Sequence, residues 1–291
     1  MLLREIKNIF HAELDTLYPK EEVNSFFSML VENYLGLERF VLALQPELVI
    51  SKEEETPLFE ALSRLKLQVP IQHIVGKAHF MEMDFIVNEN TLIPRPETEE
   101  FVRWIVDEYH AESSRSKTLR ILDIGTGSGC IAVSLAKYFS NAEVYGLDIS
   151  EEALKVAQEN AKLNEVDITF LKRDVFELEP ASPAGRLELE FDIIVSNPPY
   201  VRELEKKEMS KNVLNHEPSK ALFVSNEDPL IFYKRITIFA STNLKAGGSL
   251  FFEINQYLGK ETKQLLKDHN FSEIELRKDM FGNDRMLKGK R

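Results

Sequence analysis

Hydrophobic residues recur at two different spacings along the chain, and the change of spacing divides the chain into regions. Up to about residue 75 they recur in steps of three and four, which places them on one face of an amphipathic helix. In the segment 21–37, the residues on that face are Val23, Phe26, Phe27, Leu30, Tyr34 and Leu37. The region 1–75 is therefore predicted to be a small helical bundle.

A further helix of this bundle is predicted over residues 56–65. Thr56 is expected to cap its amino end, because a threonine hydroxyl can accept a hydrogen bond from an unpaired backbone N–H there. Pro57 would then occupy the first helical position, where the missing N–H of proline is tolerated.

Between residues 76 and 95 the hydrophobic spacing changes to two, which is typical of a strand with one buried face. The alternating hydrophobic residues are Ala78, Phe80, Met83, Phe85 and Val87. We expect a β-hairpin here, followed by a stiff connection through the Pro-Arg-Pro segment at 94–96.

Beyond residue 96, a helix predicted over 97–109 is followed by short hydrophobic runs that alternate with amphipathic segments. The predicted strands are 120–125, 143–150, 168–174, 191–197 and 248–255, with helices over 130–139 and 151–164 and a terminal hairpin formed by 271–279 and 285–291. This alternation favours βαβ units, and hence an α/β fold around a parallel sheet. Segments 178–190 and 201–222 are predicted to be surface loops.

Composition and charge narrow the class of protein. The 291 residues include 36 Lys and Arg against 48 Asp and Glu, a formal net charge of −12. That balance disfavours a nucleic acid as the direct partner, because phosphate attracts basic surfaces.

No stretch approaches the roughly 20 apolar residues needed to span a membrane, and the amino terminus lacks a signal-peptide core, so a cytoplasmic protein is expected. One cysteine, and histidines without partners at ligand spacing, predict no metal site.

A glycine-rich turn follows the first strand of the predicted sheet. Gly125, Thr126, Gly127, Ser128 and Gly129 connect that strand to a helix. Such a turn lets a ligand approach the backbone closely and offers N–H groups at a helix amino end. Because the dinucleotide fingerprint G-x-G-x-x-G is not met, a tight packing turn remains the alternative.

Two carboxylates come at the ends of the next two strands. Asp148 could accept hydrogen bonds from both hydroxyls of a ribose, and Asp174 could accept from the exocyclic amine of an adenine. The carboxyl ends of parallel strands meet at one edge of the sheet, where ligands of open α/β folds bind. A helix-capping role for each Asp is the alternative.

The fourth strand runs into Asn197, Pro198, Pro199 and Tyr200. Neither proline can continue a ladder, so the turn is rigid. The Asn197 side-chain oxygen and the Pro198 carbonyl can each accept one hydrogen of an –NH₂ group, and the Tyr200 ring offers a face on which a planar amide can pack. A proline strand terminator with a buried tyrosine is the alternative.

These motifs resemble known families. The segment DIGTGSG at 123–129 is similar to the cofactor motif of class I S-adenosylmethionine-dependent methyltransferases, and NPPY at 197–200 resembles the branch that methylates nitrogen on adenine, cytosine or glutamine. The segments PIQHIVGKAHF, TLIPRPETEE, HEPSKAL and FGNDRM resemble the HemK/PrmC family of release factor glutamine methyltransferases.

The resemblance implies a class I Rossmann-like domain with a mostly parallel seven-stranded sheet. It implies three parts, namely a helical substrate-docking domain at 1–75, a β-hairpin linker at 76–95 and a methyltransferase domain at 96–291. The expected reaction is methyl transfer from S-adenosyl-L-methionine to the glutamine amide nitrogen in the Gly-Gly-Gln motif of class I peptide chain release factors. A ribosomal-protein glutamine methyltransferase and a DNA or RNA amino-methyltransferase are the alternatives.

The resemblance also assigns roles to individual residues. Asn197, Pro198 and Tyr200 are expected to be catalytic, and these three together with Pro199 are expected to bind the substrate glutamine. The expected cofactor-binding residues are Gly125, Thr126, Gly127, Ser128, Gly129, Asp148, Asp174, Val175 and Asn197.

Overall fold

The structure is a computed structural model that describes residues 1–113, 118–178, 189–209 and 211–291. The chain folds into two compact units. The first consists of Met1–Lys77 together with Ser210–His216, and the second of Ala78–Met209 and Glu217–Arg291. The predicted division into 1–75, 76–95 and 96–291 assigns functions to its parts and stays a prediction.

The first unit is helical, as its hydrophobic spacing predicts. Its buried core includes Phe10 and Phe27, whose rings meet edge to face with centroids 5.2 Å apart. Within the predicted apolar face of 21–37, Tyr34 is exposed, and its hydroxyl donates to the Ile74 carbonyl at 3.3 Å. The helices are α1 (Leu3–Leu14), α2 (Lys20–Leu35), α3 (Val41–Leu44), α4 (Lys52–Lys66) and α5 (Ile71–Val75).

The start of α4 differs from the prediction. Ser51, rather than Thr56, caps this helix, and Pro57 lies inside it. The Ser51 hydroxyl accepts from the Glu54 N–H at 3.2 Å, and the Glu54 carboxylate accepts from the Ser51 N–H at 2.7 Å. This reciprocal pair is a capping box, and it carries the helix past the missing N–H of Pro57. The Thr56 hydroxyl instead donates to the Lys52 carbonyl at 3.0 Å.

The predicted hairpin is present at the start of the second unit. Strands β1 (Lys77–Phe80) and β2 (Met83–Ile86) pair with each other, and α6 (Pro96–Ser113) follows. Phe80 and Phe85, one from each strand, are buried with their ring centroids 5.9 Å apart. The alternating residues of the sequence thus form one buried face.

The predicted α/β fold class is confirmed by a mostly parallel seven-stranded sheet. Its strands lie in the order β10-β11-β9-β6-β3-β4-β5. All of them point in the same direction except β11, which is antiparallel to β9 and β10 on either side of it. The elements are β3 (Arg120–Ile124), α7 (Cys130–Tyr138), β4 (Glu143–Asp148), α8 (Glu151–Leu163), β5 (Ile168–Lys172), β6 (Phe191–Ser196), β7 (Val201–Arg202), α9 (Lys211–His216), α10 (Ser219–Leu222), β8 (Phe223–Val224), α11 (Ile231–Asn243), β9 (Leu244–Glu253), α12 (Gly259–Asp268), β10 (Ser272–Lys278) and β11 (Asp284–Lys290).

The segment 201–222 is not the irregular loop that its charge pattern predicts. It contains β7, a 3-10 helix over Glu203–Glu208, α9 and α10. Each of these elements is too short for hydrophobic periodicity to reveal, which explains the error. Most of the other predicted loop, 179–188 within 178–190, lies outside the described residues.

Within the described ranges, no helix is both long enough and apolar enough to cross a bilayer.

The capping box of α4 makes a first prediction. Replacement of Ser51 by Ala should lower the stability of α4 by about 1 kcal/mol, since it leaves an orphan N–H at the helix start. Thr56→Ala is the matched control, because that exposed hydroxyl only returns a hydrogen bond to Lys52 within the helix. Hydrogen exchange of the α4 amides measures both changes. A larger loss in Thr56→Ala would contradict the assignment of the cap.

Candidate active site

One row of parallel pairing sets the position of the site residues. Leu147 of β4 pairs with Ile124 of β3, Ile124 pairs with Ser196 of β6, and Ser196 pairs with Phe252 of β9. The residue after each member of this row stands at the carboxyl edge of the sheet. Those next residues are Asp148, Gly125, Asn197 and Glu253. Three of the four are predicted site residues, and Glu253 was not anticipated.

The glycines of the turn after β3 have different surroundings. Gly125, Gly127 and Gly129 all have positive φ, at 74°, 55° and 80°. A Cβ added at Gly125 would meet no atom within 4 Å, whereas one at Gly129 would lie 3.1 Å from the Cβ of Ala157 in α8. Gly129 therefore packs one helix against another, and Gly125 borders open space. The packing alternative is thus present at Gly129, and the cofactor role of the turn stays a prediction.

The turn is bonded to Asp148 at the end of the neighbouring strand. The Gly127 N–H donates to Asp148 Oδ2 at 2.9 Å, and the Ser150 N–H donates to Oδ1 at 2.9 Å. Burial raises the pKa of this carboxyl, and these backbone donors oppose the shift. The structure thus brings Asp148 and the glycine turn together.

Asp123, the last acidic residue before the turn, is fully buried. Its Oδ2 accepts from the Thr126 hydroxyl at 2.7 Å, which ties the turn to β3. Burial raises the pKa of Asp123 to about 7, donation by Thr126 lowers it, and the charge of Asp148 raises it further. This carboxyl therefore titrates near neutral pH.

Asp174 and Val175 lie beyond β5. The Asp174 Oδ1 accepts from the Phe176 N–H at 2.8 Å and caps a 3-10 helix over Val175–Glu177. Val175 is buried, while the ring of Phe176 is partly exposed beside Phe232, with centroids 5.1 Å apart. The capping alternative for Asp174 is thus present in the structure, and its cofactor role stays a prediction.

Asn197 is held by a side chain from the start of α6. Its Nδ2 donates to the Thr98 hydroxyl oxygen at 3.4 Å, and that hydroxyl donates to Glu253 Oε2 at 2.7 Å. Ser196, the preceding residue, donates from its hydroxyl to the Ile124 carbonyl at 2.6 Å. The tip of β6 is therefore fixed both to β3 and to α6.

Tyr200 is held by the same carboxylate. Its hydroxyl donates to Glu253 Oε1 at 3.0 Å and accepts from Arg285 Nη1 at 3.3 Å. The Tyr200 carbonyl accepts from Asn255 Nδ2 at 2.9 Å. Burial raises the pKa of the Tyr200 hydroxyl and that of the Glu253 carboxyl. Tyr200 therefore keeps its proton and acts as a hydrogen-bond donor.

Sequence reasoning missed Thr98, Glu253 and Arg285. Thr98 lies in the segment TLIPRPETEE and Arg285 in FGNDRM, so the family motifs were the available signal for both, while Glu253 is a charged residue directly after an apolar run. Arg95, between the two prolines of the 94–96 connection, forms an ion pair with the buried Glu217. Among the described residues, no group of three or more His, Cys, Asp or Glu side chains could hold a metal ion.

Comparison with known proteins identifies the family. A methyltransferase domain model matches residues 115–283, and a PrmC N-terminal domain model matches residues 12–76. The release factor glutamine methyltransferase of Flavobacterium psychrophilum is 51% identical over 288 residues, which is 99% of each chain. That of Bacteroides thetaiotaomicron is 40% identical over 289 residues, covering 99% of this chain and 100% of the relative. This chain belongs to the release factor glutamine methyltransferase family.

Solved structures show that the family fold is shared widely. A methyltransferase from Pyrococcus furiosus has a TM-score of 0.50 and 18% identity, covering 82% of this chain and 98% of its own. The catalytic domain of human Mettl16, solved with an RNA hairpin, has a TM-score of 0.52 and 16% identity, covering 80% and 81%. At such identities the likeness shows the fold alone. The chain thus has a Rossmann-like methyltransferase fold, as predicted.

The buried Asp123 carboxyl makes a pH prediction. Its folded pKa of about 7 lies above the ordinary value of 3.8, so the native state binds the proton more tightly than the unfolded chain does. The contribution of Asp123 to stability should therefore fall as pH rises from about 4 to 7, at up to about 1.4 kcal/mol per pH unit, and level off above 7.

Urea unfolding of the wild type and of Asp123→Asn, from pH 5 to 8.5, measures this effect. The wild type should lose stability relative to the Asn variant up to about pH 7, where the difference should become constant. In Thr126→Val, loss of the hydroxyl donor should move that break to higher pH. A difference independent of pH would refute the titration of Asp123.

Proposed function

We propose that this enzyme transfers a methyl group from S-adenosyl-L-methionine to the side-chain amide nitrogen of the glutamine in the Gly-Gly-Gln motif of class I peptide chain release factors. The observation that carries this proposal is the placement of Asn197 one residue beyond a β-strand whose end pairs with the end of β3, which leads into the glycine turn. The substrate follows from the names of the relatives, of which the first two span 99% of this chain.

The carboxyl edge of the sheet fits this cofactor. The open space beside Gly125 leaves room for a ligand against the backbone, and the Asp148 carboxylate lies at the same turn, where it accepts from the Gly127 N–H. The residues proposed to hold the cofactor are Gly125, Thr126, Gly127, Ser128, Gly129, Asp148, Asp174, Val175 and Asn197. When bound, S-adenosylmethionine supplies a methyl group on a positively charged sulfur, so the acceptor nitrogen needs alignment more than activation.

The Asn-Pro-Pro-Tyr segment is suited to that alignment. Asn197 Oδ1 and the Pro198 carbonyl accept the two hydrogens of the glutamine –NH₂ group and direct its nitrogen toward the methyl carbon. The N–C bond forms as the S–C bond breaks, and one proton then leaves the nitrogen to water. Pro198 and Pro199 keep the accepting carbonyl rigid, and the Tyr200 ring supports the amide plane.

The helical unit is the candidate docking surface for the protein substrate. We infer that residues 1–75 dock the release factor, that 76–95 form the linker and that 96–291 carry out the chemistry. A PrmC N-terminal domain model matches residues 12–76, so this part of the chain is one that the relatives share. Intact release factor should therefore be methylated faster than a short Gly-Gly-Gln peptide. Since release factors act on cytoplasmic ribosomes, we also infer a cytoplasmic enzyme.

The proposed chemistry predicts a loss of turnover in Asn197→Ala. Removal of one positioned acceptor should lower the single-turnover rate by about a hundredfold to a thousandfold, while the variant still binds the cofactor. The assay uses purified class I release factor at saturating cofactor, with the methyl group mapped by mass spectrometry. Asn141→Ala is the matched control, because Asn141 is exposed in the turn before β4, at the other edge of the sheet.

The same assay tests the substrate class. Ribosomal proteins, tRNA and DNA are offered in parallel with the release factor. Methylation of one of these in preference to the release factor glutamine would refute the proposed substrate. A wild-type rate in Asn197→Ala would instead refute the proposed chemistry.

Gly125 and Gly129 have different surroundings, so their replacement by Ala should affect different properties, cofactor affinity at Gly125 and stability at Gly129. Gly125→Ala and Gly129→Ala both force a residue with a side chain into left-handed backbone, which costs about 1–2 kcal/mol. Gly125→Ala should also weaken S-adenosylmethionine binding at least tenfold, because its methyl group enters the open space. Gly129→Ala should lose more stability, because its methyl group meets Ala157.

Titration calorimetry and thermal unfolding separate these two effects, and each variant serves as the control for the other. Unchanged cofactor affinity in Gly125→Ala would mean that the cofactor does not approach the turn at this glycine.

A further inference from the structure

A buried carboxylate joins the two polar side chains of the Asn-Pro-Pro-Tyr segment. Glu253 is 2% exposed and ends β9, and its two oxygens accept from the hydroxyls of Thr98 and Tyr200. Thr98 in turn accepts from Asn197. We call Thr98, Asn197, Tyr200 and Glu253 the Glu253 network.

With Glu253 ionised, counting hydrogens fixes the direction of each bond in this network. The Thr98 hydroxyl has a single hydrogen, which lies on the 2.7 Å bond to Glu253. Its oxygen can therefore only accept from residue 197. The group of Asn197 that faces Thr98 must be the Nδ2 amine, which leaves Oδ1 on the other side of the amide. The 3.4 Å length of this bond is at the long end, and such bonds often tighten in the Michaelis complex.

The Tyr200 hydroxyl obeys the same count. Arg285 has only donors, and it donates to the phenol oxygen at 3.3 Å while Asp279 holds its Nε at 3.1 Å. The phenol hydrogen is then free to go to Glu253 Oε1. Glu253 thus accepts on both oxygens, and neither hydroxyl can reverse its bond without giving up that acceptor.

We propose that Glu253, acting through Thr98, is a positioning residue that makes Asn197 an acceptor toward the substrate. The inference rests on the proposed function, in which the substrate group is an –NH₂ donor. If Asn197 turned its amide over, its own N–H₂ would face that donor, and the two groups would repel. The network therefore also selects substrates that donate hydrogen bonds and rejects those that accept them.

Glu253→Gln tests this directly, because it preserves shape and introduces an N–H₂ donor. The glutamine amine can donate to Thr98, the Thr98 hydroxyl can then donate to residue 197, and Asn197 can turn over. The single-turnover rate on release factor, at saturating cofactor and substrate, should fall about tenfold to a hundredfold, as is typical for loss of a supporting hydrogen bond. The dissociation constant for S-adenosylmethionine, from calorimetry, should change less than twofold.

A rescue experiment separates positioning from a structural role. In Asn197→Asp, the new carboxylate faces a Thr98 oxygen that has no hydrogen to give. Adding Glu253→Gln supplies that hydrogen, because Thr98 then accepts from Gln and donates to Asp. The double variant should therefore be faster than Asn197→Asp alone, a coupling measured by a double-mutant cycle. A structural role for Glu253 predicts a slower double variant instead.

Thr98 provides the second test if Glu253→Gln folds poorly. Thr98→Ser keeps the hydroxyl and should retain more of the single-turnover rate than Thr98→Val, which has the same shape but no hydroxyl. Equal rates for these two variants, or a double variant slower than Asn197→Asp alone, would overturn the inference. Failure of the wild type to methylate release factor would refute the proposed function itself, so the two failures are distinguishable.

Discussion

The row of parallel pairing from Leu147 through Ile124 and Ser196 to Phe252 is the constraint on which the rest of the site depends. Parallel strands that share one register end together, so the next residue of each strand lands at the same edge. Because side chains alternate between the faces of a sheet, a slip of one residue in a central strand would exchange the side chains that enter the two core clusters on its two faces. The apolar runs that form the core therefore also fix the level of the site residues.

Glu253, the acidic residue at the end of β9, is buried and therefore needs hydrogen-bond donors around its carboxylate. A carboxylate taken out of water is costly unless hydrogen bonds replace its lost hydration. Glu253 obtains them from Thr98 and Tyr200, with Arg285 close enough to lower its pKa against the effect of burial. The interactions that compensate the buried charge of Glu253 therefore connect α6, the tip of β6 and the terminal hairpin at one point. A neutral, apolar residue at 253 would fill the space without directing any hydroxyl.

Local patterns in the sequence were enough to predict the sheet, the glycine turn, Asp148 and the Asn-Pro-Pro-Tyr tip. Each of these features is encoded in a short stretch, either as alternation, as a glycine cluster or as a strand terminator. Thr98 could not be predicted, because its role depends on a partner 155 residues away in sequence. The start of α4 was misplaced because Thr56-Pro57 matches one helix-start pattern and Ser51-x-x-Glu54 matches another. Only the backbone hydrogen bonds decide between them.

The acidity of the site is consistent with a cationic ligand rather than a polyanionic one. Burial raises the pKa of Asp123, Asp148 and Glu253, so keeping these carboxyls charged costs folding free energy. A positively charged sulfur near such groups favours their ionised forms and recovers part of that cost on binding, whereas a phosphate backbone would increase it. A site of this kind therefore suits a sulfonium donor and an uncharged amide acceptor.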